Sequence, residues 1–257
     1  MPEETPQQVL VSIDEGVATV TLNRPERHNS LVPELLSQLL DALADCSRDA
    51  DIDIVVLRAA GRSFSTGGDL QGFLDHADDI RNYAENLVGR LNQVIVAIHD
   101  CRVPVIVAVD GQVTGGALGL VLAADIVLVT ERATFRPYYV DVGFSPDGGW
   151  TALLPGIIGE KRAAAVQLLN QTVSADQALD WGLATAYAGS EESDAALAEL
   201  CDGLKTKKAG SVHNTRRLMR PANLESRLDE EKRRFVEQIA TDEAIKGMRH
   251  FLDGRNG

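Results

Sequence analysis

Three short apolar segments set the strongest limits on how this chain can fold. Residues 52–57, 105–109 and 126–129 are runs of strand length in which nearly every side chain is apolar. Such runs are typical of parallel strands covered on both faces, because half-exposed strands alternate apolar and polar side chains. A long stretch with helical periodicity, about 80–98, separates the first two runs. The pattern predicts an α/β layer structure rather than a helical bundle or a β-sandwich.

The two ends of the chain follow different patterns. Residues 9–13 and 17–22 flank the turn-forming triplet Asp14-Glu15-Gly16, which predicts a β-hairpin. Leucines at helical spacing then predict a helix over residues 32–46. After about residue 158 we expect no further strand. The helices predicted there cover residues 160–169, 174–181, 191–205, 211–219, 223–239 and 242–252.

No linker-like composition separates the two halves of the chain. We predict a core over residues 1–190 and a helical C-terminal region over residues 191–257. Without a flexible connection, these helices are expected to pack on the core or on a neighbouring subunit.

The charge of the chain restricts its partners. With 25 Lys and Arg against 38 Asp and Glu, the formal net charge is −13, which argues against binding nucleic acid or an anionic membrane over a broad surface. No apolar run reaches the roughly 20 residues of a membrane span, and the first eight residues lack the features of a signal peptide. We expect a soluble, cytoplasmic protein. Its cysteines, Cys46, Cys101 and Cys201, lie far apart and predict neither disulfides nor a zinc site.

Two glycine-containing segments, residues 61–70 and 109–117, each follow a predicted strand. In the second, Gly115 and Gly116 open a predicted buried helix over residues 114–124, so unbonded N–H groups and the positive end of the helix dipole would face a ligand. This favours a site for an anion or a developing oxyanion. The phosphate-binding patterns GxxxxGK[ST] and GxGxxG are absent, as are GxSxG, HExxH and CxxC. We therefore predict neither a hydrolase triad nor a metal site.

Short motifs recur in order along nearly the whole chain. They are residues 22–25 (LNRP), 29–31 (NSL), 63–70 (SFSTGGDL), 109–111 (VDG), 115–116 (GG), 124–125 (AD), 143–149 (GFSPDGG), 175–183 (ADQALDWGL), 247–248 (GM) and Phe251. This series resembles the crotonase superfamily, the enoyl-CoA hydratase/isomerase family. The resemblance implies a crotonase-like ββα spiral core with a helical C-terminal trimerisation region, and a homotrimer or a dimer of trimers.

The resemblance also implies an acyl-CoA substrate, with coenzyme A carried as part of that substrate and no other cofactor. By the same resemblance, the N–H groups of Gly68 and Gly116 form an oxyanion hole for the thioester carbonyl, a use for which two preorganised donors are well suited. The residues implicated in holding coenzyme A are Arg24, Arg27, Arg62, Ser63 and Phe251, with Arg255 beside Phe251 on the last helix. Each of the arginines is equally compatible with a solvated surface charge, and the last helix with simple packing at an interface.

The proton-transfer group decides which reaction follows. Hydratases of the family use two glutamates, and the corresponding positions here hold Gly119 and Tyr139. Glycine has no acid–base group, and a tyrosine of pKa near 10 is a poor base at neutral pH. Asp147 lies where some isomerases and a dehalogenase of the family carry a catalytic aspartate. The alternative for Asp147 is an N-cap of a helix that begins near Gly148.

We therefore predict double-bond isomerisation of an acyl-CoA thioester, with Asp147 as a single proton shuttle. Asp141 is a second candidate acid, and Tyr139 a candidate hydrogen-bond donor or wall of the acyl pocket. Asp69 is expected to cap the helix that follows Leu70. The alternatives are a hydratase with unconventional acid–base residues and an acyl-CoA-binding protein without turnover. Dehalogenation or hydrolysis would need a histidine beside Asp147, and the histidines are expected to be solvated or structural.

Overall fold

A computed structural model describes residues 7–254, and Arg255 lies outside this range. The strands are β1 (Val9–Asp14), β2 (Val17–Leu22), β3 (Ile54–Ala59), β4 (Ser63–Ser65), β5 (Val105–Val109), β6 (Gln112–Thr114), β7 (Ile126–Thr130), β8 (Thr134–Arg136), β9 (Val173–Ser174) and β10 (Ala186–Ala188). The α-helices are α1 (Pro33–Arg48), α2 (Leu70–Asp75), α3 (Ile80–Asp100), α4 (Leu118–Leu122), α5 (Tyr139–Val142), α6 (Leu154–Ile158), α7 (Glu160–Leu168), α8 (Ala175–Asp180), α9 (Ser193–Lys205), α10 (Ala209–Met219), α11 (Leu224–Ile239) and α12 (Asp242–Asp253).

The strands form two sheets. Six strands follow the order β1-β2-β3-β5-β7-β10, and four follow the order β4-β6-β8-β9. The predicted β1–β2 hairpin is antiparallel, whereas β2, β3, β5, β7 and β10 pair in parallel. The chain passes from the large to the small sheet three times, through β3–β4, β5–β6 and β7–β8. Because β4 and β6 are neighbours in the small sheet, the two glycine segments meet at its edge.

The predicted α/β class is confirmed, including the three buried parallel strands. The expectation that strands end near residue 158 is wrong, because β9 and β10 lie beyond it. Strand β9 has two residues and pairs with β8, and β10 has three residues at the edge of the large sheet beside β7. Segments this short carry too little periodicity to be distinguished from loops in the sequence.

One hydrophobic core reaches from the strands into the C-terminal helices. On α11 and α12 it includes Leu224, Leu228, Phe235, Ile239 and Met248, all buried. Burying a side chain of this size stabilises the fold by about 1.5–3 kcal/mol. The expected packing of C-terminal helices on the core is therefore observed for α11 and α12, while the boundary at residue 190 and the trimer remain predictions.

The three cysteines are buried free thiols, Cys46 and Cys101 in the main core and Cys201 in a smaller cluster under α9. Within residues 7–254, no helix combines the length and apolar character that a membrane crossing requires.

Candidate active site

The two glycine segments are in direct backbone contact. Strands β4 and β6 pair in parallel, with Ser63 opposite Gln112 and Ser65 opposite Val113. Just beyond β4, Gly67 has a φ of +74°, and a Cβ there would lie 2.7 Å from the carbonyl oxygen of Thr114. Both the left-handed conformation and the close approach require glycine at this position.

The backbone amides of Gly68 and Gly116 lie in the two segments that make this contact. The amide of Leu31 donates to Gly67 O at 2.7 Å and that of Asp69 donates to Leu31 O at 3.1 Å, so the intervening Gly68 N–H points to the opposite side. Gly116 lies in the 3₁₀ turn Gly115–Ala117 that precedes α4, where amides have no partner within the helix. In the part of the chain that the structure describes, neither amide has a hydrogen-bond acceptor. Both glycines line one cavity.

This cavity has a volume of about 280 Å³. Part of its lining is apolar and rich in aromatic rings: Phe73, Phe144 and Phe235 contact one another with centroids 5.4–6.3 Å apart. Polar side chains also line it, namely Glu26, Arg27, His28, Ser30, Thr66, Asp69, Gln71, Thr114 and Asp147. Such a combination suits a ligand with an apolar group and a polar or charged remainder.

The carboxyl group of Asp147 lies beside Gly116. A Cβ on Gly116 would be 2.8 Å from Asp147 Oδ1. The same oxygen accepts a hydrogen bond from the Tyr139 hydroxyl, and Asp147 is only 6% exposed. The alternative that Asp147 caps a helix is wrong: both following glycines, Gly148 and Gly149, have positive φ, and the next helix, α6, begins at Leu154.

Burial raises the pKa of Asp147 from its ordinary 3.8 to about 7, against the effect of the Tyr139 hydrogen bond, which lowers it. The nearby carboxylate of Glu231 raises it as well. The pKa of Tyr139 is raised well above its ordinary value of 10, by burial and by the Asp147 carboxylate. Near neutral pH, Asp147 can therefore give and take a proton while Tyr139 keeps its own.

The two positions where family hydratases carry glutamates cannot supply acids here. A Cβ on Gly119 would lie 2.6 Å from the carbonyl oxygen of Gly148, so this position has no room for a side chain. The hydroxyl of Tyr139 is committed to Asp147, to whose backbone oxygen it also lies at 3.2 Å.

Asp141, the second candidate acid, is not among the residues that line the cavity. Its half-exposed carboxylate accepts from the side chain of Asn170 and pairs with Arg136 at 3.6 Å. Asp141 is on the exposed side of α5, whereas Tyr139 on the same helix is buried.

Only some of the residues predicted to hold coenzyme A line the cavity. Arg27 and Phe251 line the cavity, and Phe251 makes an edge contact with Tyr138 at 5.3 Å between ring centroids. Arg62 is exposed and lies 3.1 Å from the ring of His28, to which the buried Ser63 hydroxyl is also bonded at 3.1 Å. Neither Arg62 nor Ser63 lines the cavity.

Asp69 joins two of the predicted arginines. Its carboxylate pairs with Arg24 and with Arg27, each at 3.2 Å. Burial raises the pKa of Asp69, but the guanidinium groups of Arg27 and Arg24 outweigh it and hold this pKa below its ordinary value. Asp69 stands at the N-cap position of α2 as expected, yet its side chain makes no cap hydrogen bond. The capping prediction is wrong because the charged pairs are the stronger interactions.

Glu231 and Trp150 were not predicted from the sequence as site residues. The indole N–H of Trp150 donates to Gly115 O at 2.7 Å, and the buried Glu231 carboxylate accepts from the backbone that follows Asp147. A signal for Glu231 was present: on α11 it stands in the apolar stripe formed by Leu224, Leu228, Phe235 and Ile239. A charge within such a stripe indicates a buried polar partner.

Comparison with known proteins shows which family the chain belongs to. The enoyl-CoA hydratase/isomerase family model matches residues 12–257. The chain is 32% identical over 212 residues to trans-2-decenoyl-acyl-carrier-protein isomerase of Streptococcus mutans, covering 81% of this chain and 78% of that protein. It is 33% identical over 184 residues to 4-chlorobenzoyl coenzyme A dehalogenase-2 of an Arthrobacter species, covering 71% of this chain and 67% of that protein.

Among solved structures, an enoyl-CoA hydratase from Mycobacterium avium subsp. paratuberculosis matches with a TM-score of 0.86 and 27% identity, covering 95% of this chain and 99% of the other. The predicted crotonase-like fold is thus confirmed. These relatives are named for three different reactions, so similarity to them does not identify the reaction of this chain. With a family model that spans almost its entire length, the chain belongs to the enoyl-CoA hydratase/isomerase family of the crotonase superfamily.

Proposed function

We propose that this protein catalyses double-bond isomerisation of an enoyl-CoA, or of a related cyclic acyl-CoA, with Asp147 as the single proton-transfer group. The observation that carries the proposal is the position of the Asp147 carboxyl, buried in the cavity and beside Gly116. A pKa of about 7 suits a group that must act as base and then as acid in one turnover.

In the proposed reaction, the thioester oxygen accepts hydrogen bonds from the Gly68 and Gly116 amides. The Asp147 carboxylate removes a proton from Cα of a 3-enoyl thioester, and the electron pair of the broken C–H bond moves into a dienolate. Asp147 then returns the proton to Cγ, so the double bond shifts to the α,β position. These two proton-transfer steps consume no water and need no second acid.

The oxyanion donors and the acid–base group are expected to contribute as much to catalysis here as they do in other enzymes. Removing one oxyanion donor costs about 3–4 kcal/mol of transition-state stabilisation. A positioned acid–base group contributes about 10²- to 10⁴-fold in rate. The apolar and aromatic lining excludes water from the dienolate, which strengthens both effects.

The isomerase among the relatives supports this reaction, while the hydratase and the dehalogenase define the competing outcomes. Dehalogenation would use Asp147 as a nucleophile on a carbon and would need an adjacent base for water. His28 lines the cavity, but its ring is bonded to Ser63 and Arg62. Gly119 removes one of the two acids used in ordinary hydration.

The test is solvent deuterium exchange at Cα and Cγ of 2-enoyl- and 3-enoyl-CoA thioesters, with Asp147→Asn and Asp141→Asn as matched variants. We expect exchange and isomerisation to fall by about 10²-fold or more in Asp147→Asn and to persist in Asp141→Asn. Equal loss in both variants, or no loss in Asp147→Asn, would contradict the role of Asp147.

Parallel assays separate the competing reactions. Incorporation of ¹⁸O from labelled water into the product would identify a hydratase, and chloride release from 4-chlorobenzoyl-CoA a dehalogenase. Tight binding of every thioester with no exchange would identify an acyl-CoA-binding protein.

A further inference from the structure

The side chain of Glu231 is a buried carboxylate that has no cationic partner in the described part of the chain. It is 4% exposed and stands on α11 between Leu228 and Phe235, both of which are buried in the core. Among residues 7–254, no Lys or Arg forms an ion pair with it, and the nearby Arg227 donates to the backbone oxygen of Thr151. Burying an unpaired charge is costly, so an apolar residue would serve packing alone better.

Four donors of one short segment compensate this charge. Glu231 Oε2 accepts from the amide of Gly149 at 2.7 Å. Oε1 accepts from the amide and the hydroxyl of Thr151 at 2.7 and 2.6 Å, and from the amide of Ala152 at 2.8 Å. Hydrogen bonds to a charged acceptor are about twice as strong as neutral ones. The carboxylate thus clamps residues 149–152 onto α11.

The clamped segment touches both parts of the candidate site. It follows directly after Asp147 and Gly148, and a Cβ on Gly148 would lie 2.6 Å from Gly116 Cα. Within the segment, Trp150 donates to the carbonyl oxygen of Gly115. Movement of residues 148–152 would therefore displace the acid and disturb the glycine turn that carries the Gly116 amide.

We propose that Glu231 is a positioning residue that holds the Asp147 carboxyl beside Gly116 from the C-terminal helical region. The role rests on the proposed function of Asp147, but the clamp itself can be measured without any substrate. One turn further along α11, Phe235 forms part of the cavity wall, so this helix shapes the site in two ways.

The two oxygens of Glu231 make E231Q an informative variant. If the glutamine oxygen faces Thr151 and Ala152, its NH₂ group meets the Gly149 N–H, and two donors oppose each other. The hydrogen bond from Gly149 is then expected to be lost, at the end of the segment nearest Asp147. The matched control is E230Q, which neutralises the preceding, exposed glutamate that pairs with Arg233 and Arg234.

The first measurement is amide hydrogen exchange by mass spectrometry on the full-length chain. We expect protection to be lost over residues 148–152 in E231Q and kept in E230Q. The second is the pH titration of the Asp147 carboxyl, followed by NMR with ¹³C-labelled aspartate. Tyr139 from α5 and Glu231 from α11 are the ionisable groups that act on Asp147, so removing the charge of Glu231 should move the midpoint to lower pH.

The third measurement is steady-state kinetics. We expect kcat to fall by about 10²-fold in E231Q with KM little changed, because misplacement affects the chemical step rather than thioester binding. Should E231Q fail to fold, T151V removes one of the four hydrogen bonds but keeps the charge of Glu231, so it should give a smaller effect on exchange protection and on kcat.

Unchanged exchange protection and an unchanged Asp147 midpoint in a folded E231Q would overturn the proposal. Lost protection and a shifted midpoint, in a protein that turns over no thioester in any form, would support the clamp and contradict the proposed reaction.

Discussion

The hydroxyl of Tyr139 donates a hydrogen bond to the carboxyl of Asp147, and both side chains are buried. The partner of this acid is a neutral donor, so burial dominates and its pKa rises. In the same cavity, Asp69 is paired with two guanidinium groups and its pKa is lowered. One cavity therefore holds a carboxyl that titrates near pH 7 and another that stays ionised. Opposed environments of this kind separate a proton-transferring group from a structural one.

Replacing Tyr139 with phenylalanine should shift the pH dependence of turnover upward. The tyrosine hydrogen bond lowers the pKa of Asp147, so its removal should raise that pKa above 7. The ascending limb of the exchange rate should then move to higher pH by roughly one unit. Tyr187→Phe, at an exposed tyrosine, is the control and should leave the profile unchanged. A downward shift in Tyr139→Phe would show that the hydroxyl does not stabilise the ionised acid.

Asp147→Asn should make the protein more stable than the native chain at high pH. An acid with a folded pKa above its unfolded pKa stabilises the fold most below the unfolded value. This contribution is lost as pH rises from 3.8 to about 7 and stays lost above that range. The pKa difference corresponds to an upper limit of about 4 kcal/mol. Urea unfolding of both proteins between pH 4 and pH 8 should show native stability declining relative to the asparagine variant, and parallel curves would refute this.

Gly116→Ala should damage the site more than the fold. The new Cβ would lie 2.8 Å from Asp147 Oδ1 and 2.7 Å from Leu91 Cδ2, so the acid must move. We expect turnover to fall by about 10²-fold and stability by about 1–3 kcal/mol.

The matched control for Gly116→Ala is Gly89→Ala, in the middle of α3, where nothing beyond its chain neighbours and the local helix backbone lies within 4 Å of the added carbon. Alanine there should raise stability by about 1 kcal/mol with turnover unchanged. Similar losses of turnover in the two variants would mean that crowding at Gly116 is not the cause.

The two arginines bound to Asp69 should differ in their effects. The Arg27 side chain is 49% exposed and lines the cavity, so Arg27→Ala should raise KM for acyl-CoA with kcat maintained. The Arg24 side chain is 17% exposed and also bonds Ser30, so Arg24→Ala should chiefly lower stability, by about 1.5–3 kcal/mol. Measurements of KM and of thermal unfolding on both variants separate the roles. An unchanged KM in Arg27→Ala would remove this residue from the coenzyme A site.

Much of the fold was predictable because its elements have strong local patterns. The buried runs at β3, β5 and β7 and the leucine stripe of α1 each repeat over several residues. Strands β4, β6, β8, β9 and β10 were missed, since two or three residues show no period and pairing with neighbouring strands alone defines them.

The site was predictable only in part. The glycine motifs and Asp147 lie in recognisable segments, whereas the partners of each carboxyl depend on contacts distant in sequence. Asp69 illustrates this: its local sequence favours a helix cap, but Arg24, 45 residues earlier, takes the carboxylate. Likewise, no local pattern near Asp147 indicates Glu231 as its neighbour.

The Gly149–Glu231 hydrogen bond has a consequence for how each new molecule matures. Its two ends are 82 residues apart, so at 5–20 residues per second the ribosome needs about 4–16 s to make the intervening chain. During that time the amides of Gly149, Thr151 and Ala152 lack the Glu231 carboxylate, and the clamp does not yet hold the segment that follows Asp147. A chain interrupted before residue 231 would keep its glycine motifs and its aspartate yet lack the clamp. Turnover by a nascent chain would therefore report that α11 has docked.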